Sequence, residues 1–239
     1  MFLNTRIPPF DDVRVRRALN LAVDRHAVVR IVGGSAAAGP TCQILPPNFP
    51  GYVPYCPYGG PRLAEARRLV RASGTRGMRV KLWTVSTFLP MMRYAESVLT
   101  ALGYRATVTP RRDFGRIYDP RAHVQAGPTY WAADYAAPSD FLAKNLSCAA
   151  FSRDPARNNN LSEFCSRRID ARMRRASRAQ ATDPARANRM WAAVDHELVD
   201  AAPWVPLYNL RGLELLSKRV GNYQFNPAYG SLIDQLWVR

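Results

Sequence analysis

Apolar positions follow two periods along this chain, one helical and one strand-like. After an extended lead-in at residues 4–9, Asp11 or Asp12 can cap a helix. Val15, Ala18, Leu19 and Ala22 follow at i, i+3, i+4 and i+7, one apolar face, with Arg14, Arg16 and Arg17 on the others. Asp24 can cap a second segment carrying Ala27, Val28 and Ile31, which Gly33-Gly34 stops. Pro61 opens a helix with Leu63, Ala66, Leu69 and Val70 inward. Residues 78–85 alternate apolar and polar as a strand, residues 88–102 read as a helix ended by Gly103, and residues 104–109 read as a second strand. Residues 110–120 form a short helix or turn, and residues 122–131 contain a third strand. This alternation predicts an α/β fold with a parallel sheet and right-handed crossovers.

Such sheets hold ligands beyond the carboxyl ends of their strands. The predicted ends are Ser86-Thr87, residues 109–111 and residues 131–135. The last of these lies in GPTYWAADYAAPSDFL, where Tyr130, Trp131 and Tyr135 surround the carboxylate of Asp134. Pro138 then starts a helix with Ser139 and Asp140 in its first turn. A carboxylate framed by aromatic faces can hold a small cation by ion pairing and cation–π attraction. An ordinary strand end with core aromatics and a solvated Asp would show the same pattern.

The second half is helical and then extended. Ile169, Met173 and Ala176 point inward from a helix whose arginines, Arg167 to Arg178, form a solvated face. Asp183-Pro184 caps another, with Ala187, Met190, Trp191, Val194 and Leu198 on one face. Residues 202–210 and 212–216 read as strands around a turn, and residues 223–225 and 232–238 as short extended pieces.

The 239 residues, 47% hydrophobic and 22% charged, suit a globular domain with a sizeable core. No apolar run approaches the ~20 residues of a bilayer span. The start of the chain has no signal-peptide pattern and reads as cut from a longer protein. The net charge of +16 raises nucleic acid as a partner, but it comes almost wholly from scattered arginines; Lys81, Lys144 and Lys218 are the only lysines. We therefore expect no nucleic-acid partner. Cys42, Cys56, Cys148 and Cys165 form no CxxC and sit in loop-like stretches. Paired locally, Cys42–Cys56 and Cys148–Cys165 would each close roughly fifteen residues and contribute about 3 kcal/mol. That arrangement fits an oxidising, extracytoplasmic compartment, whereas four separate buried thiols would not require it. Residues 39–61, rich in Pro, Gly and Tyr, read as a packed loop pinned by the first pair, at a cleft edge. No nucleophile–base, metal-ligand or phosphate-loop pattern is present, and His26, His123 and His196 are isolated, so no catalytic residue, metal or cofactor is expected.

Four segments in order resemble the extracellular solute-binding proteins of family 5, the oligopeptide/dipeptide-binding group serving ABC importers. They are PPFDDVRVRRALNLAVDR, YWAADYAAPSDFL, FCSRRIDARMRRA and APWVPLYNL. The resemblance implies a periplasmic-binding-protein-like lobe of type II, a mixed, mainly parallel sheet flanked by helices, in a two-lobed protein that closes on its ligand. Residues 1–205 would be the C-terminal ligand-binding lobe. Residues 206–239 would be a tail that returns toward a missing N-terminal lobe. The implied function is non-catalytic capture of a small peptide or other solute for an ABC permease, outside the cytoplasm, with the membrane reached only through a lipid anchor absent from this sequence. Asp134 matches the family's aspartate for the peptide α-amine, beside Trp131. The other candidate ligand-binding residues are Tyr130, Tyr135, Ser86 and Thr87. The basic residue that some members carry three positions before the Trp is Pro128 here, which removes that contact for a peptide carboxylate. A ligand-sensing domain of a membrane-anchored regulator would use the same fold, and an Arg-driven nucleic-acid-binding protein and an unrecognised hydrolase are the remaining alternatives.

Overall fold

A computed structural model describes residues 1–226 and 229–239; Pro227 and Ala228 of the expected tail lie outside it. The chain starts with β1 (Phe2–Leu3), α1 (Val13–Ala22), α2 (Arg25–Ile31) and β2 (Ala38–Pro40). The expected caps form: Asp12 accepts from the Arg14 backbone N–H, and Asp24 from those of His26 and Ala27. Then follow α3 (Leu63–Ser73), β3 (Arg79–Thr84), α4 (Leu89–Ala101), β4 (Arg105–Pro110), α5 (Gly115–Tyr118) and β5 (Ala126–Gly127). The helical half comprises α6 (Pro138–Leu146), α7 (Arg167–Gln180) and α8 (Pro184–Ala201), the last capped by Asp183 as expected. Short strands close the chain: β6 (Tyr208–Leu210), β7 (Val220–Gly221), β8 (Phe225–Asn226), β9 (Gly230–Ser231) and β10 (Trp237–Val238).

The main sheet runs β1-β5-β3-β4, with β3 parallel to both β4 and β5 and with β1 antiparallel at the edge. The mixed, mainly parallel α/β lobe is therefore present. The third strand is two residues long, and Gly127 in it sits in a constriction that only glycine fits. A Cβ there would lie 2.9 Å from the Phe2 ring and 3.0 Å from the Trp83 carbonyl oxygen. Two apolar clusters cover the two sides of the sheet. One gathers Leu3, Leu19, Val80, Leu82, Met92 and Leu99; the other gathers Phe2, Leu142, Leu146, Ile169, Trp191 and Leu198. Phe2 and Leu3 go to opposite sides, as strand alternation requires.

The interior also holds polar staples that periodicity did not reveal. Arg16 was placed on an outer face of α1 but is buried. Its guanidinium donates to the carbonyls of Ala201, Phe10 and Asp11 at 2.8–3.0 Å. Arg25 donates to the carbonyls of Thr41 and Pro206, both at 2.9 Å, and to Asn20 Oδ1 at 3.0 Å. Arg16 joins the first helix to the end of α8, and Arg25 joins the second to the chain beyond it. Burial lowers each guanidinium to about 10.

Both disulfides form as paired from the sequence, Cys42–Cys56 and Cys148–Cys165. The Pro/Tyr-rich loop around the first lies over α8. Gln43 Nε2 donates to Asp195 Oδ2 at 2.8 Å, Tyr55 stacks on His196 at 4.3 Å, and the Tyr58 hydroxyl donates to the Val199 carbonyl. Asp195 is fully buried, and desolvation raises its carboxyl to about 6. The second disulfide ties the segment after α6 to the start of α7, where Asp170 is buried and accepts from the Cys148 backbone N–H.

The arginine face of α7 is solvated as expected, with Arg168 and Arg172 on Glu197. The C-terminal strands differ from expectation. Residues 212–216 adopt no regular structure, and residues 233–235 turn before β10. Beyond Arg211, which holds the Ser35 carbonyl, the hydrogen bonds described from Glu214 onward stay within this arm. Its apolar side chains, Leu213, Leu215, Phe225, Ile233 and Val238 among them, are exposed.

Candidate ligand-binding face

The carboxyl ends of β3, β4 and β5 open onto one face, and α6 borders it. The loop leaving β5 is fixed from below by Asp140, in the first turn of α6. Asp140 is fully buried. Its Oδ2 accepts from the Asp134 backbone N–H at 2.8 Å and from Trp131 Nε1 at 3.1 Å. The sequence offered Asp140 only as an acidic first-turn residue; in the fold it sets the positions of Trp131 and Asp134.

Asp134 stands in the open, with 54% of its side chain exposed, while its backbone N–H is held by Asp140. Its carboxylate binds the Lys144 ammonium, which also lies 5.0 Å from the centroid of the Trp131 ring. That hydrogen bond holds the Asp134 carboxyl below its ordinary range and lifts the Lys144 ammonium above its own. Lys144 sits four residues after Asp140, one helical turn, and its Nζ lies 3.8 Å from Asp140 Oδ1. Two acidic side chains thus face one ammonium.

The remaining candidates divide. Tyr130 is exposed and joins an aromatic group, 6.2 Å from the ring centroids of both Phe88 and Phe114. Phe114 in turn packs on Tyr118 at 5.0 Å. Tyr135 is exposed and accepts from Ser139 Oγ at 3.3 Å. Ser86 and Thr87 are exposed in a short turn after β3, next to Phe88. Among the described residues, no hydrogen bond or ion pair links either to Asp134. At the end of β4, Arg111 lies over the Trp83 ring at 3.6 Å. Sequence reasoning did not single out Lys144, Phe88 or Phe114, and it reached Arg111 only as part of the strand end 109–111. The i,i+4 spacing of Asp140 and Lys144 was the readable signal for the first, and position just past a strand's carboxyl end for Phe88.

The face is open, not a cavity. A shallow hollow of about 310 Å³ lies elsewhere, between the end of α7 and the start of α8. Among the described residues, no group of three or more His, Cys, Asp or Glu side chains is placed to hold a metal ion, and no helix is long and apolar enough to cross a membrane.

The family model for "Bacterial extracellular solute-binding proteins, family 5 Middle" matches residues 1–153. The glutathione-binding protein GsiB of Escherichia coli strain K12 is 24% identical over 243 residues, covering 95% of this chain and 45% of that protein. Among solved structures, the clavulanic acid biosynthesis oligopeptide binding protein 2 superposes with a TM-score of 0.87 at 24% identity, over 99% of this chain and 45% of that one. A dipeptide binding protein from Pseudoalteromonas sp. SM9913, in complex with Met-Leu, gives 0.78 at 22% identity, over all of this chain and 47% of that one. The chain thus spans about half the length of the relatives it matches.

Proposed function

The chain belongs to the bacterial extracellular solute-binding proteins of family 5, and from that premise we propose that it is one lobe of a clamp that captures a small, amine-bearing peptide for an ABC importer. The observation that carries this reading is the cluster at the strand ends. Asp134 and Trp131 already hold one primary ammonium, that of Lys144, on an open face. A ligand's α-ammonium presents the same group. An open half-site is what a hinged pair of lobes requires, because the second wall of the pocket arrives on closure.

In this reading residues 1–205 form the ligand-binding lobe, and the arm, within residues 206–239, crosses to a second lobe supplied by the remaining half of the protein. The arm's exposed leucines and aromatics are the surface such a lobe would cover. Tyr130, Tyr135, Phe88 and Phe114 give apolar walls that accept varied side chains, and Ser86 and Thr87 offer hydroxyls to a ligand backbone. The role is non-catalytic. The two disulfides fit an extracytoplasmic site, and a lipid anchor on the intact protein would hold it at the membrane.

Calorimetric titration of the intact protein with tri-alanine and N-acetyl-tri-alanine tests the reading. The free-amine peptide should bind about tenfold tighter, since only it brings a charged donor to Asp134. Asp134→Asn should erase the preference. Equal binding of the two peptides would remove Asp134 from the amine subsite.

A further inference from the structure

We propose that Lys144 is the resident occupant of the amine subsite in the empty protein, and that an incoming ligand ammonium moves it from Asp134 onto the free oxygen of Asp140. The inference rests on the reading of Asp134 as the amine acceptor and adds the residue that sets its selectivity.

The two carboxylates are unequally used. Asp140 is fully buried, yet only Oδ2 accepts hydrogen bonds, from Trp131 Nε1 and the Asp134 N–H. Its Oδ1 has no hydrogen-bond partner. A buried carboxylate oxygen without a donor is unfavourable and calls for one. Lys144 Nζ stands 3.8 Å from it, one turn along the same helix, so a shift of about 1 Å would bring it to charge-assisted hydrogen-bond distance. Asp134 now holds that ammonium. The lysine therefore has two seats, and its flexible stem allows either.

A ligand ammonium placed on Asp134 sets the balance. Two ammonium groups cannot share one exposed carboxylate without repulsion, whereas Asp140 Oδ1 can take the displaced lysine. One ion pair replaces another, so the exchange is nearly balanced and Lys144 does not shut the site. A ligand without a primary ammonium gains nothing at Asp134, because Lys144 stays. Lys144 thus keeps Asp134 from neutral and N-blocked ligands, while an amine meets only the small cost of exchanging one ion pair for another.

Two readouts test this on Lys144→Gln, which removes the charge and keeps the length of the stem. In the ligand-free protein, the Asp134 carboxyl should titrate higher in the variant than in the wild type by side-chain carbonyl NMR. In binding, the variant should take tri-alanine about two- to five-fold tighter, the range expected for losing one exposed ion-pair competitor. In the wild type, the Lys144 ammonium resonance should move on adding tri-alanine and stay still with N-acetyl-tri-alanine. Weaker tri-alanine binding by Lys144→Gln would make Lys144 a ligand partner and overturn the proposal, even while Asp134→Asn still abolishes the amine preference. An Asp134 titration unchanged in the variant would overturn it too. If the wild type shows no amine preference, the underlying reading of Asp134 falls instead.

Discussion

Arg25 in the interior and Lys144 on the strand-end face are both cations on short helices, and the structure treats them oppositely. Arg25 donates to the Thr41 and Pro206 carbonyls and to Asn20, and faces no carboxylate. Its partners are backbone groups of distant segments, so its work is joining chain to chain. Lys144 is 35% exposed and lies between two carboxylates, one of which keeps a free oxygen. The same contrast separates Asp195, buried under the first disulfide loop with Gln43, from Asp134, whose exposed carboxylate is paired with a movable lysine. Interior polar groups here define the fold; the strand-end groups are held ready for something else to bind. The arm after Arg211 extends the second pattern to apolar residues, since Leu213 and Leu215 are 77% and 101% exposed.

The largest effect that would break this comparison is at Arg25. Arg25→Ala takes the donor from the part-buried Thr41 and Pro206 carbonyls and from Asn20, and should cost roughly 3–5 kcal/mol by chemical denaturation. A loss within experimental error would mean the staple is ornamental. Next is the disulfide pair. Denatured, non-reduced protein should show no free thiol, and reduction should cost about 3 kcal/mol per bridge. Four titratable thiols would remove the argument for an oxidising compartment.

Asp195 gives a pH signature of similar size. Its folded value of about 6 lies above the unfolded value near 3.9, so between these the native state holds the extra proton. Stability should therefore fall as pH rises from about 4 to about 6 and level off above, with this group contributing about 3 kcal/mol to the fall. Asp195→Asn should flatten that segment of the profile; an unchanged slope would place its origin elsewhere. Smallest on stability should be the strand-end face and the arm. Asp134→Asn and Leu215→Ser should leave the melting temperature of the chain unchanged, and a clear drop in either would return that residue to the fold-building class.

Much of this was legible in the residues. The helical spacing from Val15 to Ala22, the alternation in β3 and β4, and the caps Asp24 and Asp183 all rest on local chemistry, and they formed. The four cysteines paired by proximity in sequence. Long-range facts were not legible. Nothing local distinguishes Arg16, which is buried, from Arg14, which is exposed. The partner of β1 lies more than 120 residues away, since Phe2 pairs with Gly127, and the Phe2 ring beside Gly127 is what requires glycine there. At the site, Asp134 and Trp131 could be read because aromatics frame a carboxylate after a strand. For Lys144 the spacing to Asp140 was readable but its pairing with Asp134 was not, since that depends on the loop that Asp140 folds toward it.

A crystal structure of the intact protein with bound tri-alanine tests the central claim most directly. The account predicts the peptide's ammonium at about 3 Å from the Asp134 carboxylate and against the Trp131 ring, with Lys144 Nζ turned to Asp140 Oδ1. A peptide whose carboxylate sits on Lys144 while that lysine stays paired with Asp134, or one bound away from the strand ends, would contradict it.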